Sequence, residues 1–473
     1  MAHDIHIGLD PANFFVSHQD SSQKNNSQKR FLRVITRAEY TDWVNHQTQT
    51  VQDWLENLRF SPEVGKTVLI PQENHHLLAL VIRGESVMDS LAAAYDCLPA
   101  GDYYSEGLTG FDFIQAAIGW GLQGYKFERY KKNRTSFSKR LIVSDQALEI
   151  ILNYCQAHYL IRDLINTPAE DMGPSELALW AEKIAQESNA QFECITGQDL
   201  LNKNFPAIHA VGRASDDEPR LIQFSWGNPK NPKVTLIGKG VCFDTGGLDL
   251  KDAEGMRWMK KDMGGAAHVL GLAKLIMAAQ LPIYLTVYIP AVENAVAGNA
   301  YRPGDVIKTR KGLTVEIGNT DAEGRVILSD ALCLASENQA ELIIDFATLT
   351  GAARVALGAD LPALFSNDQK FSSLILEMGL KYEDPLWPMP LHQPYKAHLK
   401  SNIADLNNMS KVSYGGAITA ALFLENFVGE NITWCHIDLM AFNTSSRPGK
   451  PEGGEAMALR AVFHAIEKKY GTQ

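Results

Sequence analysis

From about residue 170 onward, short apolar runs alternate with segments of helical periodicity, and this alternation restricts the fold more than any other feature of the chain. Strand–helix alternation is typical of an α/β sheet that is covered by helices on both faces. We therefore predict a mixed, mostly parallel sheet flanked by helices. The predicted strands are Val234 to Phe243, Ile283 to Ile289, Leu313 to Ile317, Leu342 to Phe346 and Trp434 to Leu439, and the predicted helices are Ala266 to Ala279, Val326 to Glu337, Ala417 to Phe427 and Ala456 to Lys468.

The 473 residues are too many for one typical domain, so we expect at least two. Short apolar runs at Val68 to Ile70 and Leu77 to Ile82 indicate strands of a first domain, and Ser21 to Arg30 is polar enough to predict a mobile loop. Ala147 to Ile165 has apolar residues at helical spacing before Asn166-Thr167-Pro168, which predicts a helix end. We predict a smaller N-terminal α/β domain (1–145), a connecting helix and linker (146–170) and a larger catalytic domain (171–473).

Composition narrows the classes of function. The formal net charge of −11 disfavours a general nucleic-acid-binding surface. The sequence contains neither a signal-peptide pattern nor an apolar stretch long enough to span a membrane. Its six cysteines are scattered and form no C-x-x-C pair, which favours buried, reduced thiols. These features together predict a cytoplasmic protein.

Two glycine-flanked acidic clusters each follow a strand-like run, where α/β proteins bind their ligands. The first lies within Ile237 to Gly265 and the second is Gly318 to Arg325. The charged residues of the two clusters are Lys239, Asp244, Lys251, Asp262, Asp321, Glu323 and Arg325.

Asp321 and Glu323 would point the same way in an extended segment, so that their charges repel. Either Arg325 or bound divalent cations would compensate, and converging carboxylates are costly to bury without such compensation. The alternative is a solvated helix N-terminus at which acidic residues are favoured by the helix dipole. The residues alone predict a metal-dependent hydrolase or phosphoryl-transfer enzyme.

The same residues closely resemble the leucyl aminopeptidase family of hexameric cytosol aminopeptidases. Asn319 to Arg325 (NTDAEGR) resembles the family signature, and GKG, FDTGG and DM in the first cluster match in order and spacing. Further similarity lies at Asn166 to Ser175, Ala347 to Ala352 and Ser401 to Asn407, so that the resemblance covers roughly residues 155–473. It implies a homohexameric, cytosolic enzyme that removes N-terminal amino acids from peptides with free N-termini.

The resemblance also implies a site for two divalent metal ions, zinc or manganese, with magnesium and cobalt as further candidates. Asp244 and Glu323 would bridge the two ions. Asp321 would complete the coordination of one ion, while Lys239 and Asp262 would complete that of the other. Lys239 would have to be neutral to act as a ligand, and the alternative for it is a salt bridge to one of these carboxylates.

Two further residues acquire catalytic roles from the resemblance. Lys251 would stabilise the oxyanion of the tetrahedral intermediate. Arg325 would hold a bicarbonate ion that acts as the general base, since an arginine is itself too basic for that role. The alternative for Arg325 is pairing with Asp321 or Glu323.

The predicted substrate-binding residues are Met259, Thr348, Gly351 and the backbone of Leu349. The opposite wall differs from the usual family pattern, because the chain has Asp438 to Asn443 (DLMAFN) where a small Ala–Gly stretch is common. Bulky Met440 and polar Asn443 would narrow or polarise the pocket. The expected preference for leucine is therefore open, and for Met259 core packing is the alternative.

A nucleic-acid-binding regulator with the peptidase fold is the alternative function. It is suggested by relatives in the family that have such a second role, and the one basic stretch, Arg129 to Arg140, is better interpreted as a solvated loop or an intersubunit contact. An inactive relative retained for assembly ranks below both, because all seven charged site residues are present.

Overall fold

The computed structural model describes residues 9–19, 29–72, 76–132 and 138–471. The chain divides into two compact units, Met1–Tyr159 with Thr444–Glu452, and Leu160–Asn443 with Gly453–Gln473. The boundaries predicted at residues 145 and 170 stay predictions. The predicted loop at 21–30 lies outside the described residues up to residue 28.

The first unit is built on a six-stranded sheet in the order β1-β6-β5-β2-β4-β3. Only β3 and β4 pair antiparallel, and the other neighbours are parallel. Its strands are β1 (Phe15–Ser17), β2 (Arg30–Thr36), β3 (Thr67–Pro71), β4 (Leu77–Arg83), β5 (Gly101–Glu106) and β6 (Lys139–Val143). A 3₁₀ helix covers Pro11–Phe14, and the α-helices are α1 (Tyr40–Asn45), α2 (Gln49–Asn57), α3 (Met88–Tyr95), α4 (Gly110–Gly124) and α5 (Asp145–Asn166), which continues into the second unit.

The basic stretch is partly used within this unit. Arg140 forms an ion pair with Asp102 at 2.7 Å, and Lys139 donates a hydrogen bond to the Tyr95 carbonyl oxygen at 2.7 Å. Residues 133–137 of the stretch lie outside the described residues. The two basic residues at its end therefore serve contacts inside the protein.

The second unit contains a nine-stranded sheet in the order β16-β15-β18-β14-β9-β11-β8-β7, with β10 beside β11. Pairing is mostly parallel, so that the predicted mixed, mostly parallel sheet flanked by helices is confirmed. The strands of the large sheet are β7 (Gln191–Thr196), β8 (Arg220–Trp226), β9 (Lys233–Gly238), β10 (Gly240–Asp244), β11 (Tyr284–Asn294), β14 (Leu342–Ala347), β15 (Ala363–Ser366), β16 (Trp387–Pro388) and β18 (Thr433–Asp438).

Helices and small sheets complete this unit. The α-helices are α6 (Pro174–Glu187), α7 (Gln198–Asn202), α8 (Pro206–Gly212), α9 (Ala253–Arg257), α10 (Gly264–Ala278), α11 (Glu323–Glu337), α12 (Gly351–Leu357), α13 (Gln369–Lys381), α14 (Gly416–Glu425) and α15 (Leu459–Tyr470). The 3₁₀ helices are Ala169–Asp171, Met259–Met263 and Gln393–Leu399. The small sheets are formed by β12 (Val306–Lys308), β13 (Thr314–Glu316) and β17 (Leu406–Asn407), and by β19 (Phe442–Asn443) and β20 (Gly453–Gly454).

The structure corrects one predicted strand. The run from Val234 to Phe243 is two strands, β9 and β10, which are separated at Lys239. The break arises because β9 lies between β14 and β11, whereas β10 pairs with β11. The apolar sequence shows that the whole run is buried, but it does not show this change of neighbour.

The cysteine prediction holds in part. All six cysteines are free thiols, and those at positions 155, 242, 333 and 435 are buried. The prediction of a buried thiol is wrong for Cys97, which is exposed. Within the described residues, no helix combines the length and the apolar composition that crossing a membrane requires.

Asp330 anchors the helix that carries the second acidic cluster. The side chain is fully buried, and its two oxygens accept hydrogen bonds from the backbone N–H groups of Ala207 (2.9 Å), Ile208 (3.3 Å) and Arg310 (2.7 Å). Asp330→Ala would leave three N–H groups without their acceptor. We expect it to lower the free energy of unfolding by about 3 kcal/mol, measured by urea unfolding. Asp330→Asn, which keeps one acceptor oxygen, should lose less. A loss below about 1 kcal/mol for the alanine variant would contradict this anchoring role.

Candidate metal centre and active site

Lys239 enters the site through the break between β9 and β10. Its backbone N–H donates to the Phe346 carbonyl (3.0 Å), and its own carbonyl accepts from Ala266 N–H (2.9 Å). The flanking glycines are required by close approach, since a Cβ at Gly238 would lie 2.6 Å from Ala266 Cα and one at Gly240 would lie 2.7 Å from Pro290 O. The GKG sequence therefore allows a buried lysine to project from a crowded strand junction.

Asp244 ends β10, and its side chain is held by the loop that follows. Its Oδ1 accepts hydrogen bonds from Gly246 N–H (2.9 Å) and from Asn294 Nδ2 (2.8 Å). Gly246 and Gly247 both have positive φ, at +89° and +64°, which a glycine adopts without strain. Oδ2 of Asp244 faces the Lys251 ammonium at 2.9 Å.

Asp262 comes from the 3₁₀ helix Met259–Met263, just before α10. Its Oδ1 accepts from Thr348 Oγ1 at 2.7 Å, and its Oδ2 lies 2.8 Å from the Lys239 ammonium. Thr348 follows β14, the strand beside β9, so neighbouring strands deliver both contacts.

Glu323 is the first residue of α11 and lies 2.8 Å from Lys239 Nζ through its Oε1. A Cβ at Gly324 would lie 2.6 Å from Lys239 Cε, so a larger residue at this position would displace the lysine side chain. Asp321 is more exposed and forms an ion pair with Lys251. The signature NTDAEGR therefore brings its two acids to the lysines of the first cluster, Glu323 to Lys239 and Asp321 to Lys251.

The structure brings the predicted residues of both clusters together. Asp244, Asp262 and Glu323 are buried, and each offers an oxygen within 4.8 Å of the others, a spacing that suits metal coordination. The ammonium groups of Lys239 and Lys251 face these carboxylates, so both roles predicted for Lys239, metal ligand and salt-bridge partner, stay predictions.

Several buried oxygens of the cluster fit a metal site. Asp262 Oδ2, Asp321 Oδ1 and Glu323 Oε1 accept no hydrogen bond and face only the lysine ammonium groups. Burial and the charge of Asp244 raise the pKa of Glu323 to about 8 and that of Asp321 to about 6. Crowded carboxylates of this kind favour a divalent cation.

The pKa values of the two lysines are raised as well, but by their carboxylate neighbours and against the effect of burial. Burial by itself disfavours the charge of Lys239, but the carboxylates of Asp262 and Glu323 raise its pKa above the ordinary value. The pKa of Lys251 is raised in the same way by Asp244 and Asp321, against its burial. The neighbouring carboxylates therefore favour the charged form of both lysines.

Arg325 makes a contact that differs from the predicted alternative. Its guanidinium donates to the Asn408 carbonyl at 2.8 Å and forms no ion pair with Asp321 or Glu323 in the described structure. Burial lowers its pKa to about 10, and its buried Nε has no hydrogen-bond partner. α11 directs this side chain toward the backbone at Asn408 rather than toward the carboxylates.

Asn408 is a site residue that sequence reasoning missed by one position, since the matched stretch ended at Asn407. Its Oδ1 accepts from Gly318 N–H (2.8 Å) and Asn319 N–H (3.2 Å), and its Nδ2 donates to the Asn319 (2.8 Å) and Ala322 (3.3 Å) carbonyls. The fully buried side chain thus fixes the loop that carries Asp321. The two successive asparagines after a strand-like leucine were the available signal.

We expect Asn408→Ala to reduce kcat/KM about 100-fold, because a misplaced loop moves metal-binding side chains. Asn408→Asp keeps the oxygen that accepts from Gly318 and Asn319 and should retain more activity. Aminoacyl-amide hydrolysis and bound metal should be measured together for both variants. Unchanged activity in Asn408→Ala would show that the loop is held by its other contacts.

The predicted substrate-binding residues lie beside the cluster on two segments. Met259 is 9% exposed in the 3₁₀ helix that carries Asp262. Leu349 N–H donates to Asp438 Oδ1 at 3.0 Å and is therefore engaged within the protein. Gly351 is exposed at the start of α12.

Two residues of the stretch Asp438 to Asn443, which would form the opposite wall of the pocket, make hydrogen bonds within the protein. Asp438 also accepts from Thr350 Oγ1 at 2.6 Å and so fixes the loop before α12. Asn443 is buried and donates to Glu455 at 2.6 Å. Its polarity therefore serves an internal contact. Met440 remains half-buried.

The sequence reasoning also passed over Lys261 and Arg354. Lys261 precedes Asp262 and is 2% exposed, and burial lowers its pKa to about 8. The charge of Asp262 opposes this shift and that of Arg354 adds to it. A second lysine in the sequence MKKDM was the available signal, although a lysine beside an aspartate is usually solvent-exposed.

This mixed sheet, with buried carboxylates and lysines meeting beyond its strand ends, fits the metal-dependent enzyme that the sequence indicated. Residues 159–463 match the model of the cytosol aminopeptidase family catalytic domain, and residues 31–143 match that of the M17 aminopeptidase N-terminal domain. The chain belongs to the cytosol aminopeptidase family, whose members are metal-dependent exopeptidases. The resemblance seen in the sequence is confirmed, and it extends to an N-terminal domain in which the sequence showed little similarity.

Named relatives and solved structures agree with this assignment. The chain is 37% identical over 369 residues to a probable cytosol aminopeptidase of Persephonella marina, covering 75% of this chain and 74% of the relative. It is 43% identical over 316 residues to peptidase B of Pectobacterium carotovorum, covering 65% and 72%. The crystal structure of the Coxiella burnetii cytosol aminopeptidase matches with a TM-score of 0.92 and 46% identity, covering 96% and 99%. The bottromycin maturation enzyme BotP in complex with Mn matches with a TM-score of 0.85 and 28% identity, covering 93% and 99%.

Proposed function

We propose that this chain hydrolytically removes N-terminal amino acids from peptides by means of two divalent metal ions. The observation that carries the proposal is the buried cluster of Asp244, Asp262 and Glu323, with its unbonded oxygens, inside a fold of the cytosol aminopeptidase family. Asp244 and Glu323 would bridge the two ions. Asp321 would complete the coordination of one ion, and Lys239 and Asp262 would complete that of the other. The identity of the ions is open between zinc and manganese, with magnesium and cobalt as further candidates.

When bound, the ions supply Lewis acidity that polarises the scissile carbonyl and acidifies water. Lys239 would serve as a ligand only in its neutral form, so that its ion pairs with Asp262 and Glu323 must be given up on loading. Lys251 would then donate to the oxyanion of the tetrahedral intermediate, from a position next to Asp244 and Asp321.

Arg325 would hold a bicarbonate ion as the general base. Its buried guanidinium, with an unpartnered Nε and no carboxylate ion pair in the described structure, supports an anion at this position. The pocket for the N-terminal side chain would be formed by Met259, Thr348 and Gly351, with the Leu349 carbonyl positioning the substrate backbone.

We also propose a cytosolic location, which the names of the relatives support, and a homohexamer, which rests on the sequence resemblance. Light scattering coupled to size-exclusion chromatography tests the oligomeric state.

Hydrolysis of a panel of aminoacyl-amides with zinc, manganese or cobalt tests the proposed activity. The expected result is release of the amino acid only when the amine is free, with an N-acetylated amide as the matched control. Hydrolysis of the acetylated amide, or no turnover with any metal, would overturn the proposal.

A further inference from the structure

A cavity of about 760 Å³ lies in the first unit, between one face of its sheet and the helix α1. Its lining comes from β2, from the ends of β3, β4 and β5, and from α1 with the residues that flank it. None of these residues belongs to the proposed metal centre, which is built by the second unit. The volume falls within the range of roughly 300–1,000 Å³ that is typical of small-molecule sites.

Two hydrogen-bond donors that line this cavity are buried and unpartnered. Nε of Arg33 and Nε2 of Gln72 donate to no residue that the structure describes. Glu106 is the register partner of Arg33 on the neighbouring strand β5, yet within the described residues Arg33 forms no ion pair. A buried donor without an acceptor is unfavourable, so the cavity favours a ligand that supplies acceptor oxygens.

A third donor follows from the hydrogen bond of His76. Its Nδ1 accepts from the backbone N–H of Lys29 at 2.8 Å. The neutral ring therefore carries its proton on Nε2, which makes that atom a donor. Arg33 lies in β2, Gln72 follows β3 directly and His76 directly precedes β4, so that all three donors come from the sheet side of the cavity.

Three carboxylates also line the cavity. Glu39 directly precedes α1, Asp42 lies in its first turn, and Glu106 ends β5. Glu39 Oε2 accepts from the N–H and Oγ1 of Thr36 at 2.7 and 2.8 Å, and these hydrogen bonds lower the pKa of Glu39. A simple anion is disfavoured by three carboxylates beside the single guanidinium of Arg33, whereas a ligand that also carries an ammonium group complements both signs of charge.

The remaining part of the lining is apolar. Phe31 and Trp43 are partly buried and pack against the hydrophobic core that contains Ile35 and Leu78, and all four line the cavity. Aromatic rings of this kind offer a large contact area to an apolar or aromatic side chain.

We propose that this cavity binds a small zwitterion of the amino-acid type, either a free amino acid or a short peptide, with an apolar or aromatic side chain. Its carboxylate would accept from Arg33 and Gln72. Its ammonium group would face Glu39 and Asp42, and its side chain would contact Trp43. Substrates and products of the proposed reaction belong to this chemical class, but the second site does not rest on the proposed activity.

Calorimetric titration of the full-length chain with phenylalanine tests the proposal. The Glu323→Ala background keeps the metal centre from contributing and prevents cleavage of peptides. We expect one ligand per chain, with binding about tenfold or more weaker for 3-phenylpropionate, which lacks the ammonium group, and for phenethylamine, which lacks the carboxylate. Alanyl-phenylalanine distinguishes the two sources, because tighter binding than phenylalanine identifies a short peptide and weaker binding a free amino acid.

Variants of the cavity locate the ligand. Adding Arg33→Gln to this background should weaken binding of phenylalanine by about tenfold or more, because it removes the charged donor. Arg37→Gln removes an exposed cation just beyond β2 and is the matched control that should leave binding unchanged. The ligand should also change the tryptophan fluorescence, and Trp43→Phe should remove that change.

The readout is binding, so that failure of this proposal leaves the proposed aminopeptidase activity untouched. Equal affinity for phenylalanine and for either truncated analogue would overturn the proposal. Unchanged binding in Arg33→Gln, or no binding of either zwitterion, would overturn it as well. If Arg33→Gln fails to fold, the comparison of phenylalanine with its two analogues still decides.

Discussion

Lys251→Ala is expected to lower kcat by about 10²–10³-fold while the protein stays folded and loaded with metal. The physical reason is that a positioned ammonium stabilises charge that appears only in the transition state, so its removal leaves substrate binding largely unchanged. The structure places this ammonium between Asp244 and Asp321, 2.9 Å from Asp244 Oδ2.

Steady-state kinetics on an aminoacyl-amide, together with elemental analysis and circular dichroism, checks this expectation. Lys251→Arg is the matched variant, since it retains the charge with a different geometry, and should fall between the wild type and the alanine variant. A kcat within threefold of the wild type in Lys251→Ala would refute the oxyanion role. Loss of metal would instead assign Lys251 to holding the cluster together.

Glu323→Ala is expected to abolish tight metal binding at one or both positions and to reduce kcat/KM by about 10³-fold or more. Glu323 is buried at the start of α11, and its Oε1 faces only Lys239. Its removal would leave Asp244 and Asp262 without the third carboxylate of the cluster. It would also relieve repulsion among the acids, so the metal-free variant should be no less stable than the metal-free wild type.

Metal binding and the stability of the metal-free protein can be measured separately for Glu323→Ala. Manganese should raise the Tm of the wild type, because a ligand that binds only the folded state stabilises it, and should raise that of Glu323→Ala far less. Glu337→Gln, at the exposed end of the same helix, is the control that should behave as the wild type. Full metal occupancy in Glu323→Ala would refute the bridging role.

Much of the catalytic unit was predictable from local sequence. Apolar runs indicated strands that the structure confirms at Leu342–Ala347 and Thr433–Asp438, and helical periodicity indicated α10 and α11. The predicted helix from Ala456 begins only at Leu459, after a residue with positive φ at Ala458. Element type follows from which side chains must be buried, whereas an end depends on backbone geometry that this pattern does not encode.

For the candidate site, too, some features could be predicted from the sequence and others only from the folded structure. By itself, the sequence showed that carboxylates and lysines follow strand ends. Through the family resemblance, it also assigned each of these residues a role in the site. Only the tertiary structure decided that β9 breaks at Lys239 and that Arg325 contacts Asn408 rather than a carboxylate. Burial pattern is local in sequence, but an ion pair depends on the distance between side chains that lie tens of residues apart. For this reason, the sequence identified the charged residues, whereas a partner such as the Asn408 carbonyl of Arg325 was visible only in the structure.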